Sequence, residues 1–482
     1  MKSSTSSNIL PKNKTKIVCT IGPASEEVSV IKRLIKAGMN VARLNFSHGD
    51  FSYHKRLIEN IKKAASETKR PVSIMADLPG PKMRIGKLKK EPVQLKKGQN
   101  FILTTKDIIG DSHKVSITVK TLPSAVKKGD ILYLNDGLIQ LEVIETTDTD
   151  VICKVIAGGE LRSKKGLNIP GIDLGEDVFT EKDKKCLEFA LKNGVDAISQ
   201  SFVTKSEDIK KVRKAASNIG KEPFIIAKIE RASCLDRLDE IIDESDGIMI
   251  ARGDLGVEIP IEKIAIVQKF ITKKALLRGK PVITATQMLV SMTKSKRPTR
   301  AEATDVANAI LDGTDAVMLS EESATGAYPV EATNMISMIA KEAEPYINSR
   351  HLAKKVFKED KGGFGNLVEI MAGSLSLIAE KMEEYVVFCP TDTGKTARAL
   401  SRYRLGTWIF GISSYKNTCK NLMFSFGIWP VFMEDKPTSW QGKVSTIISK
   451  YGIKARYALL IEGPSKAYPM VDHRLEILKL EN

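Results

Sequence analysis

Eight short apolar runs occur along the chain, and nearly every one ends in a polar or charged residue. The runs are residues 16–22, 40–48, 72–77, 197–202, 224–229, 247–251, 281–286 and 316–320. Apolar runs of this length are typical of strands that are buried on both faces of a parallel sheet. Helical patterns of apolar positions separate most of the runs. The alternation predicts an α/β fold, a (β/α)8 TIM barrel.

The predicted helices carry start signals where their apolar pattern begins. Thr180 with Asp183, and Thr299 with Glu302, have the spacing of a capping box. Ser25 stands where a side-chain cap would begin the helix after the first strand. We therefore expect helices rather than long loops between the strands.

The pattern of strands and helices is interrupted once and then begins afresh. From about residue 82 to residue 177, only short runs of β type appear, separated by turn sequences rich in Gly and Asp. After about residue 345 a new set of strand-like runs begins. We predict a flexible tail (1–14), a barrel domain (15–82 and 178–344), an inserted β domain (83–177) and a C-terminal α/β domain (345–482).

A doubly wound open sheet is the alternative to the barrel. The count of eight strands and the polar residue at most strand ends favour the barrel. In a barrel, the C-terminal ends of all strands meet at one rim, where active sites are built. The residues that would converge there are Asn45, Asp77, Ser201, Lys228, Glu230, Asp254, Thr286 and Glu322.

The fifth and sixth predicted strands carry the most suggestive side chains of this set. Lys228 and Glu230 end one strand, and Asp254 follows the next. Two carboxylates beside one lysine suit a hard divalent cation that holds an anionic substrate. A structural ion pair at the strand ends is the alternative reading.

A loop in the C-terminal part is a second candidate site. Residues 391–396, with the sequence TDTGKT, follow a strand-like run and precede a helical pattern. A loop rich in hydroxyl groups and glycine before a helix can bind phosphate. The spacing is not that of a Walker A loop, and an ordinary strand–helix turn with a threonine cap is the alternative.

Composition places the chain among globular proteins of two or three domains. It has 482 residues, of which 42% are hydrophobic and 28% charged. No apolar run approaches the roughly 20 residues that span a bilayer, and the polar first residues do not look like a secretory signal. The six cysteines are scattered without a CxxC pair. This usage predicts reduced thiols in a cytoplasmic protein, without disulfides or a zinc site.

The net charge of +17 has two possible meanings. It could indicate a nucleic-acid partner. However, basic and acidic residues are interleaved, the basic clusters are short, and no RNA- or DNA-binding signature is present. A basic balance also attracts anionic small molecules. We favour phosphorylated small molecules, and expect neither a nucleic-acid partner nor a membrane.

Long motifs in separate parts of the chain resemble those of pyruvate kinases. They are residues 15–25 (TKIVCTIGPAS), 37–49 (AGMNVARLNFSHG), 164–170 (KKGLNIP), 227–230 (AKIE), 251–258 (ARGDLGVE), 285–289 (ATQML), 297–302 (RPTRAE) and 317–320 (VMLS). The resemblance implies a barrel, an inserted β-barrel lid and a C-terminal regulatory domain. It also implies phosphoryl transfer from phosphoenolpyruvate to ADP, giving pyruvate and ATP.

The resemblance assigns expected roles to individual residues. Lys228 and Arg43 would neutralise the transferring phosphoryl group, and Glu230 and Asp254 would hold Mg2+ or Mn2+. Thr286 would bind the substrate carboxylate and stand near the proton relay to the enolate. The full substrate-binding set is Arg43, Lys228, Gly253, Asp254, Thr286 and Ser201, and the nucleotide-binding set is Asn45, His48, Arg84 and Lys165.

One segment departs from the potassium-requiring members of the family. Residues 77–85 read DLPGPKMRI, where those members resemble DTKGPEIRT. In them, K+ sits against ligands that match Asn45, Ser47, Asp77 and the carbonyl of Leu78. A lysine ammonium is itself a fixed monovalent cation. We therefore expect Lys82 to replace K+; the alternative is a solvated surface lysine.

Other implications of the resemblance concern regulation and assembly. The loop formed by Thr391, Asp392, Thr393, Gly394, Lys395 and Thr396 matches the effector phosphate loop of the family. Thr325 replaces a lysine that contacts nucleotide in some members. The family is usually homotetrameric, and the helix within residues 331–343 is a candidate contact surface.

Two other functions are compatible with parts of the pattern. Another barrel enzyme acting on phosphoenolpyruvate or pyruvate, such as an aldolase or mutase, is one; Lys165 and the inserted domain argue against it. A catalytically inactive regulator with a basic surface is the other. The complete set Arg43, Lys228, Glu230, Asp254 and Thr286 argues against a loss of catalysis.

Overall fold

The computed structural model of the protein describes residues 10–81, 83–172, 175, 177–347, 367–435, 437, 439–464, 470 and 472–480. Lys82 and residues 1–9 lie outside these ranges. In the described part of the chain, no helix is long and apolar enough to cross a membrane. All six cysteines are free thiols, as the scattered spacing predicted.

A closed barrel of eight parallel strands forms the largest sheet, which confirms the predicted fold. Its strands are Lys16–Thr20, Val41–Asn45, Ser73–Asp77, Ala197–Gln200, Phe224–Ile229, Gly247–Ala251, Val282–Ala285 and Ala316–Leu319. The first strand closes the ring: Val18 pairs with Val41 of the second strand, and Lys16 with Ala316 of the eighth. An open sheet is thereby excluded.

Helices connect the strands of the barrel. They are Val28–Ala37, Phe51–Thr68, Glu181–Lys192, Ser206–Ser217, Leu238–Glu244, Arg252–Glu258, Ile264–Leu277, Arg300–Leu311, Glu321–Ala324 and Pro329–Ala343. Both predicted capping boxes are present, at Thr180 and at Thr299. The prediction for Ser25 was wrong, because the first helix begins at Val28 after Glu27, and Ser25 closes a turn with Gly22 instead.

The segment between the third and fourth barrel strands forms two sheets of its own. Val93–Leu95 pairs with Gly159–Leu161. The larger sheet contains Leu167–Asn168, Ile131–Leu134, Ile139–Thr146, Asp150–Ala157, Asn100–Thr104 and Lys114–Ser116, in that spatial order. A separate hydrophobic core fills this part, and only one short helix occurs in it, Leu122–Ala125, among the residues described.

The C-terminal part is a five-stranded sheet with helices. The strands, in spatial order, are Ile428–Phe432, Ile409–Ser413, Tyr385–Pro390, Tyr457–Glu462 and Arg474–Lys479; the last is antiparallel to its neighbour. The α-helices are Leu367–Ala379, Lys395–Ser401, Lys416–Asn421 and Trp440–Tyr451. Short 3-10 helices occur in both parts: at Ala232–Cys234, Ile261–Lys263, Val290–Thr293 and Glu344–Tyr346 in the barrel part, and at Leu422–Phe424 in the C-terminal part.

An aromatic side chain from the C-terminal part closes the N-terminal end of the barrel. Phe424 joins the apolar cluster inside the barrel and stacks on Phe224, with ring centroids 5.2 Å apart. Phe224 begins the fifth strand, so the contact lies at the end where that strand starts. Because Phe424 fills this end, a substrate site can form only at the opposite end, where the strands finish.

Buried polar contacts join the barrel to the C-terminal sheet at the same end. Arg404 donates to both carboxylate oxygens of Asp315 at 2.9 and 3.0 Å, and the Phe426 amide donates to the same carboxylate. Lys16 donates from Nζ to the carbonyl of Ile428 at 2.6 Å. Burial lowers the pKa of Lys16 to about 7, although the charges of Glu344 and Asp315 act to raise it.

This lysine predicts a pH dependence of stability. Between pH 7 and 10.5 the unfolded chain protonates Lys16 more fully than the folded chain does, so the free energy of unfolding rises with pH in that window. The gain is at most about 1.4 kcal/mol per pH unit. We expect Lys16→Met to remove this gain. The check is the difference in thermal midpoint between wild type and variant, measured from pH 7 to pH 9; a difference that stays constant would contradict the prediction.

Candidate active site

A cavity of about 130 Å3 opens at the end of the barrel where the strands finish. Its lining includes most of the residues selected from the sequence, although they come from distant parts of the chain. They are Arg43, Asn45, Ser47, His48, Asp77, Leu78, Arg84, Ser201, Lys228, Glu230, Asp254 and Thr286. Pro79, Phe202, Met249, Ala251 and Met318 complete it. The convergence at one rim follows from closure of the barrel.

Asp77 is the carboxylate that binds two of the basic residues of the cavity, Arg43 and Lys228. Its Oδ2 accepts hydrogen bonds from Arg43 Nε at 2.8 Å and Nη2 at 2.5 Å. Its Oδ1 lies 3.2 Å from Lys228 Nζ and accepts a hydrogen bond from Ser199 Oγ at 2.8 Å. Asp77 is 2% exposed, so water cannot replace these partners. The contacts fix both cations in place.

The charge state of this group follows from its neighbours. Burial acts to raise the pKa of Asp77, but the charges of Lys228 and Arg43 outweigh it, and the pKa is lowered. Burial acts to lower the pKa of Lys228, but Asp77 and Glu230 outweigh it, and the pKa is raised. Asp77 is therefore ionised and Lys228 is charged near neutral pH.

Lys228 also contacts Glu230 and Ser201. Its Nζ lies 2.8 Å from Glu230 Oε1 and donates to Ser201 Oγ at 2.8 Å. Ser201 in turn donates to the carbonyl of Leu78 at 2.7 Å. The second oxygen of Glu230 accepts the amide of Phe202 at 2.8 Å. Side chains of the third, fourth and fifth strands are thus fixed relative to one another.

Glu230 and Asp254 are the two carboxylates that could hold a divalent cation. Burial raises the pKa of Glu230, and so does the negative charge of Asp254; Lys228 opposes both. A bound cation would relieve this repulsion, and carboxylate oxygens are the ligands that Mg2+ prefers. In the described part of the chain, no group of three or more His, Cys, Asp or Glu side chains forms a metal site. Two carboxylates fit a cation whose other ligands come from water and substrate.

Thr286 lies on a turn whose backbone is unusual. Thr286 and Gln287 have φ of 67° and 54°, in the left-handed region that costs a residue with a side chain about 1–3 kcal/mol. Arg252 stabilises the turn by donating to the carbonyl of Thr286 at 2.8 Å, while it also donates to Asp305 at 2.8 Å. The Thr286 hydroxyl accepts the amide of Gly253 at 2.8 Å. Gly253 itself is outside the cavity lining.

The residues expected to bind nucleotide are only partly gathered. Asn45, His48 and Arg84 line the cavity, but Lys165 does not. Arg84 Nη1 donates to the carbonyl of Lys164 at 2.8 Å, and the carbonyl of Lys165 accepts the amide of Ile85 at 3.0 Å. These contacts lie within the inserted segment and hold its first residues, including Arg84 at the cavity, against residues 164–165.

Glu322 differs from its expected place in the structure. Glu322 does not reach the cavity: its carboxylate accepts the amides of Ser320 at 2.7 Å and Leu289 at 3.0 Å, so it is a structural cap. Lys82, the expected substitute for K+, lies outside the described residues. The carbonyl of Leu78, which matches one of the K+ ligands of the family, accepts a hydrogen bond from Ser201 Oγ.

Three side chains that shape the site were not selected from the sequence. Ser199 donates to Asp77, and Arg252 with Asp305 supports the turn at Thr286. Arg252 belongs to the motif at 251–258, so the motif itself was a signal for it. No pattern in the sequence pointed to Ser199 or Asp305, because their roles depend on contacts between separate elements.

The C-terminal loop also borders a cavity, about 210 Å3 in volume. Thr391, Asp392, Thr393, Lys395 and Thr396 line it, whereas Gly394 does not. Gly394 has φ of 80°, and its amide donates to Thr391 Oγ1 at 3.0 Å. A side chain at Gly394 would collide with Arg398 and Leu422. Within the loop, Thr391 Oγ1 and Thr393 Oγ1 each accept a hydrogen bond from a backbone amide.

Comparisons with known proteins agree along nearly the whole chain. The family description "Pyruvate kinase, barrel domain" matches residues 12–333, and "Pyruvate kinase, alpha/beta domain" matches residues 369–458. A pyruvate kinase of Thermococcus litoralis is 48% identical over 427 residues, which cover 88% of this chain and 90% of the relative. One of Thermotoga maritima is 43% identical, covering 87% and 89%.

A solved structure supports the same assignment. The crystal structure of a pyruvate kinase from Cryptosporidium parvum superposes with a TM-score of 0.91 and 36% sequence identity. The match covers 98% of this chain and 97% of the other. The chain therefore belongs to the pyruvate kinase family of phosphotransferases.

Proposed function

We propose that this cavity transfers the phosphoryl group of phosphoenolpyruvate to ADP, and that Arg43, Lys228, Glu230, Asp254 and Thr286 carry out the reaction. Pyruvate and ATP are the products that the family implies. The observation that supports the proposal is the convergence of all five side chains on one cavity. Phosphoryl transfer needs mainly positioning and charge neutralisation, and buried, fixed cations supply both.

Arg43 and Lys228 bind the phosphoryl group in this proposal. Both are nearly buried, at 9% exposure each, and both are fixed by Asp77. Donors that are held in place before the reaction cost no reorganisation when charge moves between oxygens. Asp77 is thus a positioning residue: it keeps two like charges close together and orients them.

Glu230 and Asp254 hold Mg2+ or Mn2+ in this proposal. When bound, the cation would neutralise oxygens of the substrate and orient them. Thr286 binds the substrate carboxylate. The bound carboxylate would also accept the hydrogen bond that the Gly253 amide donates to the Thr286 hydroxyl in the structure. The same hydroxyl stands near the path of the proton that reaches the enolate.

The nucleotide would enter from the side of the inserted sheets. Asn45, His48 and Arg84 contact its phosphates, and Lys165 joins them when the inserted domain, residues 83–177, closes over the barrel. Closure would exclude water that could hydrolyse the phosphoryl group. We place the enzyme in glycolysis and in the cytoplasm, in agreement with its reduced cysteines.

The activity and the role of Lys228 are tested together. We expect wild type to form pyruvate from phosphoenolpyruvate, ADP and Mg2+ in a coupled assay. We expect Lys228→Met to lower kcat by at least about 10²–10³-fold, because one fixed donor to developing charge contributes roughly that factor. The variant leaves Asp77 and Glu230 with fewer partners, so its thermal midpoint should fall while the fold persists.

The matched control is Lys192→Met, which removes an exposed lysine paired with Glu188 on a barrel helix. It should keep wild-type turnover. Circular dichroism of both variants separates loss of catalysis from loss of fold. Absence of pyruvate formation by folded wild type would refute the proposed reaction.

We further propose that the enzyme needs no potassium, because Lys82 supplies the monovalent charge. The support is the sequence departure at 77–85 together with the family ligands Asn45, Ser47, Asp77 and Leu78, all at the cavity. We expect equal turnover in KCl and in tetramethylammonium chloride, and a requirement for K+ in Lys82→Glu. A gain of about tenfold or more from KCl in wild type, equal to a difference of 1.4 kcal/mol in barrier, would refute the idea.

We propose that this chain assembles and is regulated as members of the family usually are. Ile261, Ile266 and Phe270 are 70%, 66% and 45% exposed on one part of the barrel, and Met338 is 52% exposed on the helix Pro329–Ala343. Exposed apolar side chains of this kind mark contact surfaces. We propose a homotetramer in which the loop 391–396 binds a phosphorylated effector.

The loop is tested by charge reversal of its lysine. We expect wild type to respond to fructose 1,6-bisphosphate, ribose 5-phosphate or a nucleotide in steady-state kinetics, and Lys395→Glu to lose that response. Light scattering should give the mass of four chains for both proteins. An unchanged response in Lys395→Glu would place effector binding elsewhere.

A further inference from the structure

The turn that follows the second barrel strand supplies three side chains to the candidate active site. Asn45 ends the strand, and Ser47 and His48 come directly after it; all three line the cavity. Side chains on one short segment keep their relative positions only if the backbone of that segment is fixed. The groups that fix this turn therefore affect the site, even where they do not line it.

Hydrogen bonds within the barrel fix the first half of the turn. The Asn45 side chain accepts the amide of Ser47 at 3.1 Å, and the Asn45 carbonyl accepts the amide of His48 at 3.2 Å. The Phe46 amide donates to the carbonyl of Asp77, on the neighbouring strand, at 3.0 Å. These bonds use the amides of the turn, and they leave the carbonyl of His48 to be held from another direction.

The side chain of His54 bonds to that carbonyl. His54 lies in the first turn of the helix Phe51–Thr68 and is 2% exposed. Its Nε2 is 2.9 Å from the carbonyl oxygen of His48. A carbonyl oxygen can only accept a hydrogen bond, so Nε2 carries the proton and donates. The start of this helix thus holds the second half of the turn.

The rest of the imidazole is enclosed by aromatic rings. Phe46 stacks on it, with ring centroids 4.0 Å and planes 8° apart, and Tyr53 meets it edge-on with centroids 5.7 Å apart. Burial lowers the pKa of His54, so the ring is uncharged near neutral pH and carries a single N–H. That N–H is the one that His48 accepts.

Packing alone does not account for a histidine at this position. In the described part of the chain, Nδ1 of His54 has no hydrogen-bond partner, and a buried polar atom without a partner is unfavourable. An apolar side chain would fill the space between the rings without this cost. The bond to His48 is the feature of the imidazole that an apolar side chain could not supply.

We propose that His54 is a positioning residue for the nucleotide: it fixes the backbone at His48 and thereby directs the side chains of the turn to the phosphates of ADP. The inference rests on the proposed function, in which Asn45 and His48 contact those phosphates. His54 does not line the cavity and so acts through the turn. Because the turn is ordered before ADP arrives, binding does not have to order it.

This role predicts an effect on ADP that phosphoenolpyruvate does not share. Arg43 and Lys228, which are proposed to bind the phosphoryl group of phosphoenolpyruvate, are held by Asp77 and not by the turn. Loss of the bond from His54 should therefore raise the KM for ADP while the KM for phosphoenolpyruvate stays unchanged. Because the lost binding is the same before and during the reaction, kcat should also stay unchanged.

Three substitutions of His54 separate the hydrogen bond from the ring. Titration calorimetry of the full chain with ADP and Mg2+, without phosphoenolpyruvate, measures nucleotide affinity. We expect His54→Leu to weaken it about fivefold, which is about 1 kcal/mol, the usual net contribution of one hydrogen bond. His54→Gln lacks the ring but keeps an N–H donor, so it should bind ADP as wild type does. His54→Phe keeps a ring without a donor and should behave as His54→Leu does.

The matched control is Leu57→Ala, which removes a fully buried side chain from the same helix. It should lower the thermal midpoint and leave both KM values unchanged. Equal ADP affinity in wild type and the folded donorless variants, His54→Leu or His54→Phe, would refute the proposal. Binding by His54→Gln as weak as that of His54→Leu would do the same, as would an equal rise in both KM values.

The calorimetric measurement does not depend on turnover. If folded wild type binds ADP but forms no pyruvate, the proposed reaction fails, whereas the effect of His54 on nucleotide binding is still measured. If wild type forms pyruvate and His54→Leu binds ADP as tightly as wild type does, only the role of His54 fails.

Discussion

Arg43, Lys228 and Asp77 are buried together where the barrel strands end, and the candidate active site depends on this arrangement. Two cations taken out of water repel each other and lose hydration, which costs several kcal/mol per ion unless a counter-charge is bonded to them. Asp77 supplies that counter-charge with a different oxygen for each cation. The same contacts that stabilise the charges also orient them toward the cavity.

The other end of the barrel is closed, so a site can form only at the end where the strands finish. Phe424 closes the barrel against Phe224, and Arg404 bonds to the buried Asp315. This end is therefore occupied by the C-terminal part of the same chain. The fifth strand begins at Phe224 at the closed end and carries Lys228 at the open end, with Glu230 immediately after it, so one strand of six residues links the two regions.

The sequence predicted the repeated features well and the individual contacts less well. Buried strands and capping boxes are local: each is written in a few consecutive residues, and all eight strands and both capping boxes are present. Ser25 and Glu322 were misplaced because their partners were decided by geometry. Ser25 closes a turn, and Glu322 caps two amides 31 residues apart in the chain.

By itself, the sequence determined which chemical groups are available: apolar runs that must be buried, and a basic or acidic residue after most of them. It also carried the family motifs, and so the expected reaction. Only the tertiary structure decided that Asp77 pairs with both Arg43 and Lys228, that Arg252 supports the turn at Thr286, and that Phe424 closes the far end of the barrel. These contacts join residues from separate elements, and closure of the barrel with docking of the C-terminal sheet sets their distances.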